Sequence, residues 1–408
     1  MRTTTGLTRT RATWAAYLLL GLFAYLETAI GPSMPFLRTD LDLDYTVASL
    51  HFTAFAAGGV VAGATAERFV RRWGRARILW GGIAGMTAGA ALLATSPTVA
   101  GTLTGIFVMG ALGTLFLVTN QAALADLYGE HRTVALAESN VVASAAAIAA
   151  PLAVGAFAAT GLGWHFGLLV AAPLFAFLAL TFRTVPLPTP ATSEGHGIAQ
   201  RLPRAFWLIW IVMFLVASVE WCVAYWGADF LHTVVGFRTS AAATAMSVFF
   251  AAMVAGRFAG ARLARRVPGT TLLIAALLVA SVGFPVFWLT PIPVASLAGL
   301  FVAGFGIANL YPLTVATATG IVPHLADRAA ARLAIAGAAA LMLAPLLVGV
   351  LADAVGMRWA FGIVLPLALT ATIVTIVATR SAPQPTPAGT SPDPSVVPET
   401  PLGIPASR

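Results

Sequence analysis

Two acidic residues stand where charge is expensive. Glu27 lies in WAAYLLLGLFAYLETAIGPSMPFL, from Trp14 to Leu37, and Glu220 lies in the apolar run near 205 to 231. A carboxylate at the centre of a bilayer-spanning helix costs about 2.5–3.5 kcal/mol on insertion scales. An apolar setting disfavours the charged form of a carboxyl group, so an acid reached by water first from one side and then from the other can load and release a proton. Leu20, Phe23, Ala24, Glu27 and Gly31 recur at helical spacing, which puts the acid on a face that should look inward. Leu18, Leu22, Tyr25 and Ala29 fall opposite, towards lipid or neighbouring helices. Amides and aromatics complete a candidate binding set: Phe23, Asn120, Gln121, Asn140, Trp221, Tyr225, Asn309 and Tyr311. An amide facing lipid would be costly, so each should face protein or water.

These residues are positioned by long apolar helices. The 408 residues are 59% hydrophobic and only 9% charged, with a mean hydropathy of +0.89, which describes a polytopic all-α membrane protein. Twelve apolar runs are expected, near residues 13–36, 46–66, 77–95, 99–125, 133–158, 163–183, 205–231, 241–262, 270–289, 294–320, 329–351 and 358–380. All 23 basic residues are Arg; with the N-terminus inside, only Arg38, Arg238 and Arg358 fall outside and Arg257 falls within a span. The positive-inside rule then places both termini in the cytoplasm of a cell-membrane protein. The net charge of +8 follows from that asymmetry, so it gives no support to nucleic-acid binding. Met1–Arg11 precedes a run too long for a signal peptide, so the first span is kept.

Other chemistries find no support. The lone Cys222 allows no disulfide within one chain. Asp40, Asp42 and Asp44 imitate the start of a calcium loop, but its sixth position is Tyr45 and its twelfth is His51. Gly31-Pro32-Ser33 is not a nucleophile elbow, and no buried His pairs with a Ser at a recognisable spacing. No cofactor, no metal and no enzymatic activity are expected. His51 reads as an interfacial residue near the end of the second span, and Glu138 as a structural acid beside Arg132.

The chain reads as a duplication. Gly105, Phe107, Val108 and Gly110 recur at one constant offset as Gly299, Phe301, Val302 and Gly304, as do Pro151 and Gly155 as Pro345 and Gly349. Glu27 pairs with Glu220 at an offset one residue shorter. This divides the protein into a six-helix half over 1–182, a cytoplasmic linker over 183–204, a second half over 205–380 and a disordered tail over 381–408. Parallel repeats of this kind place a transport site near the membrane midplane, between the halves.

Twelve spans in two repeated halves, with GATAERFVRRWGRAR after the second span, resemble the major facilitator superfamily. Within it, LHFTAFAAGGVVAG (Leu50 to Gly63), VAGRFAGARLARR (Val254 to Arg266) and GFGIANLYPL (Gly304 to Leu313) look most like the fucose-permease-like branch. The resemblance implies a cavity lined by spans 1, 4, 7 and 10, and a loop that latches the outward-facing state through Gly63, Glu67, Arg68, Gly74 and Arg75. The loop departs from the family pattern: five residues separate Arg68 from Gly74 where one is usual. Arg257 joins this gating set, with snorkelling to the interface as its expected posture. The glycine-rich antiporter signature of span 5 is degenerate, because SAAAIAAPLAVG keeps only Pro151 and Gly155.

The expectation is a monomeric, proton-coupled secondary transporter of a small solute. It would work by alternating access, with Glu27 and Glu220 as coupling acids and symport ahead of antiport. A drug or metabolite:proton antiporter and a non-transporting sensor on the same fold are the alternatives.

Overall fold

The computed structural model describes residues 8–185 and 202–381. Most of the expected linker (186–201) and nearly all of the expected tail (382–408) lie outside the described residues. Everything regular within them is helical, as the composition required.

The first half contains α1 (Arg11–Leu41), α2 (Tyr45–Trp73), α3 (Arg75–Thr95), α4 (Val99–Tyr128), α5 (Arg132–Ala159) and α6 (His165–Phe182). The second contains α7 (Arg204–Thr233), α8 (Thr239–Leu263), α9 (Gly269–Leu289), α10 (Pro293–Ile321), α11 (Ala326–Val355) and α12 (Met357–Arg380). These are the twelve runs expected from the sequence. The stretch Val99–Ala159 is helical almost throughout over 61 residues. A straight helix of that length would reach about 90 Å, roughly three bilayer cores. It is interrupted at Gly129, where φ is +50°, and by the short turn Gly129–His131, so α5 returns alongside α4. Side chains other than Gly rarely adopt that backbone conformation.

Local chemistry fixes the helix starts. Thr10 caps α1 in a reciprocal box with Thr13, and Asp44 caps α2 by accepting from the Val47 amide at 2.6 Å. Asp42 ends α1 in the left-handed region at φ 50°, and Asp40 accepts the indole N–H of Trp164 at 2.7 Å. The three aspartates thus terminate, cap and brace helices.

Packing repeats as the sequence does. α3 and α2 both lie on α4 and α1 lies on α5; in the second half α9 and α8 lie on α10 and α7 lies on α11. Contact between the halves is made by α1 with α7, α5 with α8, and α2 with α11. The last two are exchanged by the repeat. Gly155 of α5 presses on Ser240 and Thr244 at the start of α8, and its counterpart Gly349 of α11 presses on Tyr45 and Ser49 at the start of α2. A Cβ at either glycine would sit within 2.7 Å of a backbone carbonyl across the interface.

These approaches lie at the end of the bundle carrying the turn between α1 and α2. There the halves are sealed. Arg38 of α1 bridges to Asp229 of α7 at 2.6 Å and stacks over the Tyr45 ring at 3.5 Å. Asp353 of α11 accepts from the amides of Tyr45 and Thr46 at 2.9 and 2.8 Å, so a carboxylate of one half caps a helix of the other. His51, expected at an interface, is instead fully buried: its Nε2 lies 2.9 Å from the Thr102 hydroxyl.

Candidate functional site

Glu27 and Glu220 each lie sixteen residues into their helices, α1 and α7, close to the middle of the span. The repeat therefore brings the two acids to the same depth, and both line one cavity of about 290 Å³ between the halves. Small-molecule sites start at roughly this size, about 300–1,000 Å³.

Each wall is a helical face. α1 presents Leu20, Phe23, Ala24 and Glu27, four of the five residues expected to look inward, together with Thr28. α7 presents Glu220, Trp221, Ala224 and Tyr225, and α5 presents Asn140, Ala143, Ser144 and Ala147. α4 adds Leu117 and Gln121, and α8 adds Phe249, Phe250, Met253, Val254 and Arg257. Gln121, Asn140 and Arg257 are exposed and sit towards the end opposite the seal. Glu27 and Glu220 are half-buried, and Tyr225 is 2% exposed. Exposure therefore declines along the cavity towards the seal, and water reaches the acids from one end.

Neither carboxylate has a hydrogen bond or ion pair among the described residues. Their charges act on each other, and Glu220 also feels Arg257, beyond direct salt-bridge distance. The Tyr225 hydroxyl is buried without a partner among the described residues and lies in electrostatic range of Glu27. The Tyr225 ring stacks on Phe52 of α2, with centroids 4.2 Å apart and planes 7° apart, and packs against Trp221 at 5.2 Å.

Other sequence candidates lie elsewhere. Asn120 is fully buried within the first half, where its amide donates to the Ala16 carbonyl at 3.2 Å. Asn309 donates to the Gly256 carbonyl at 2.6 Å and fills the break between the two segments of α10, Pro293–Ile307 and Leu310–Ile321. Tyr311 follows that break, 40% exposed and off the cavity wall, though within electrostatic range of Glu220. Arg257 is on the wall, where snorkelling to the interface was expected. Gly63 has open space around it, and Glu67 and Arg68 are exposed, Glu67 facing Arg71 at 3.7 Å. Gly74 starts α3, and Arg75 is tied to Asp126 of α4 at 2.8 Å. Glu138 pairs with Arg9 and accepts from the Tyr17 hydroxyl at 3.1 Å, where Arg132 was the expected neighbour.

The α8 wall was not anticipated. Its signal was available: Phe250, Met253, Val254 and Arg257 stand at i, i+3, i+4 and i+7, the spacing that singled out the Glu27 face.

The family model of the Major Facilitator Superfamily matches residues 14–324 and 270–404. This chain belongs to the Major Facilitator Superfamily. Its helices are long and apolar enough for a multi-pass membrane protein of that family. An uncharacterized MFS-type transporter of Yersinia pestis is 28% identical over 170 residues, 41% of this chain and 44% of that protein. An uncharacterized transporter of Sinorhizobium fredii is 30% identical over 177 residues, 43% of this chain and 47% of that protein. The chain thus spans less than half the length of these curated relatives. Among superfamily structures, a bacterial homolog of the human lysosomal transporter Spinster, inward-facing and occupied, aligns with a TM-score of 0.78 at 16% identity, covering 92% of this chain and 98% of that one. A mutant of the nucleoside transporter NupG aligns with a TM-score of 0.74 at 12% identity, covering 90% and 99%. At such identities the likeness is one of fold.

Proposed function

We propose that this superfamily member is a proton-coupled secondary transporter of a small solute, with Glu27 as the principal proton site and Glu220 as a second titrating or substrate-binding acid. The observation that carries this reading is the placement of both acids, unpaired and at mid-span, on one cavity wet from a single end. The arginine distribution supports a cytoplasmic open end and an external sealed end, an inward-facing state like that of the Spinster homolog. Rocking the halves would open the Arg38–Asp229 end and expose the same carboxyls outside.

A proton entering down about 100 mV and one pH unit supplies about 3.7 kcal/mol, enough to move a neutral solute several-hundred-fold against its gradient. Charge balance links direction to solute. With Arg257 acting on Glu220 from beyond salt-bridge distance, a proton on Glu27 would accompany a neutral solute, which is symport; a cation would neutralise Glu27 itself and displace the proton, which is exchange. The resemblance of Leu50–Gly63 to the fucose-permease-like branch supports the first, with a small polar solute. The second is supported by the unpaired state of Glu27 in a largely apolar cavity.

The test is a substrate screen in proteoliposomes under an imposed pH gradient, comparing the natural protein with Glu27→Gln and Glu220→Gln. At least one substitution should abolish gradient-driven accumulation while leaving solute exchange partly intact. Unchanged concentrative uptake in both variants would refute proton coupling through these acids.

A further inference from the structure

We propose that the second half carries a phospholipid site: a pocket between α7, α9, α10 and α12 that holds the anionic headgroup of a lipid from the surrounding leaflet. It lies away from the central cavity and shares no lining residue with it.

The pocket is a place where the repeat has lost its filling. Its volume is about 520 Å³, and Ile209, Gly269, Gly320 and Thr379 mark its four walls, on α7, α9, α10 and α12. At the offset that carries Gly105 to Gly299, Gly269 stands for Arg75 and Gly320 for Asp126. In the first half those two side chains meet at 2.8 Å and tie the start of α3 to α4, with Arg75 only 9% exposed. In the second half both are missing, and a Cβ at either glycine would meet nothing within 4 Å. Aromatic filling has gone as well. Trp80 and Phe182 help to leave only about 10 Å³ between α1, α3 and α6. The repeat puts Ile274 in place of Trp80 and, at the offset joining Trp164 to Trp359, Val377 in place of Phe182. Packed interiors hold few voids larger than a water molecule, so a duplicated unit stripped of an ion pair and two rings leaves room for an occupant from outside the chain.

Charge selects that occupant. Arg380 follows Thr379 of the wall, Arg265 and Arg266 shortly precede Gly269, and Arg204 opens α7 just before Ile209. None of these four arginines has an ion pair among the described residues. The acids of this half whose side chains are described lie elsewhere, Glu220 at mid-span and Asp229 and Asp353 at the sealed end. α9 also begins here without a side-chain cap, because its N-cap is Pro268, so its first amides are open to an acceptor. Where the first half sets a carboxylate against its own guanidinium, a phosphate from outside would meet arginines and amides together.

The bilayer is the source. Ala316, Ile321 and Ala378 make much of the lining apolar. Exposed rows lead away from the pocket along two of its helices, Leu278, Val282 and Val286 on α9 and Val377, Ile373 and Leu369 on α12. Each row repeats every fourth residue, so it keeps to one face of its helix, and a lipid whose headgroup sits in the pocket can lay its chains there. Basic pockets between spans on the cytoplasmic side bind anionic headgroups, and the arginine distribution supports that side for this end.

The test is native mass spectrometry of the purified full-length protein, titrated with phosphatidylglycerol and phosphatidylcholine of matched chains. The first phosphatidylglycerol should bind about tenfold more tightly than the first phosphatidylcholine. Gly269→Arg combined with Gly320→Asp restores the filling of the first half without changing net charge, and it should erase the preference. Gly320→Leu fills the pocket without any charge and should do the same. Thermal unfolding in detergent should be unchanged or raised in both, which separates a filled pocket from a lost fold. Arg380→Gln, at an exposed position, tests the charge contribution without touching the packing and should lower the preference severalfold. Glycerol 3-phosphate, which has the phosphate but no chains, should fail to displace the lipid even in large excess.

Equal affinity for the two lipids, or a preference that survives in the folded, filled variants, overturns the proposal. An undiminished preference in Arg380→Gln removes the charge argument and overturns it as well. Displacement by glycerol 3-phosphate at concentrations comparable with the lipid would make the ligand a soluble phosphate and would likewise overturn it.

Discussion

Arg38 and Asp229 meet at 2.6 Å across the two halves, and Asp229 is wholly buried where they meet. Their attraction is available only while this end is shut. Removing one partner of such a pair leaves a buried charge uncompensated, at about 3–5 kcal/mol. Asp229→Asn should therefore shift the population away from the sealed state. Spin-label distances across that end should lengthen, and the exchanged pair Arg38→Asp with Asp229→Arg should recover part of the change. Unaltered distances in the single variant would remove the pair from the gate.

Gly155 and Gly349 seal by letting backbone meet backbone. Gly349→Leu should hold the α2–α11 contact ajar, and Gly155→Leu should do the same at α5–α8. Transport should fall by about tenfold or more in each, while thermal unfolding of the detergent-solubilised protein moves by only a few degrees. Equal loss of folding and transport would point instead to a packing defect.

Asp353 holds the first amides of α2 from the other half. Replacing a capping carboxylate by Ala costs about 0.5–2 kcal/mol. Asp353→Ala should thus weaken the seal more gently than Asp229→Asn, giving an intermediate distance distribution in the same measurement.

Asn120 and Gln121 are neighbours with different surroundings. Asn120 is buried against the Ala16 carbonyl, and Gln121 is exposed on the cavity wall. Gln121→Leu should raise the half-saturating concentration for the transported solute with little effect on stability. Asn120→Leu should alter unfolding temperature and leave that concentration unchanged. The reverse pattern would mean that the cavity assignment of α4 is wrong.

The spans, the repeat and the paired acids were legible because each depends on a local property: length of an apolar run, recurrence at fixed spacing, or charge out of place. The Glu27 face was legible because helical periodicity decides which residues share a side. Partners distant in sequence were not legible. Nothing near Arg38 announces Asp229, and nothing near Tyr45 announces Asp353, since those pairings depend on how the halves tilt. Asn120 and Asn309 show the same limit: an amide in a span must face protein, but whether it meets a backbone carbonyl or a solute is decided by rotation of the helix by one position.

Phe52 and Tyr225 belong to different halves and lie face to face at 4.2 Å. One side of the Tyr225 ring is thereby part of the barrier, while the phenol borders the space a solute would occupy. Floor and lock share a single side chain. Traffic to the far compartment must peel these two rings apart, so whatever rests against the phenol presses directly on the bolt, and no relay of intervening residues has to carry the message.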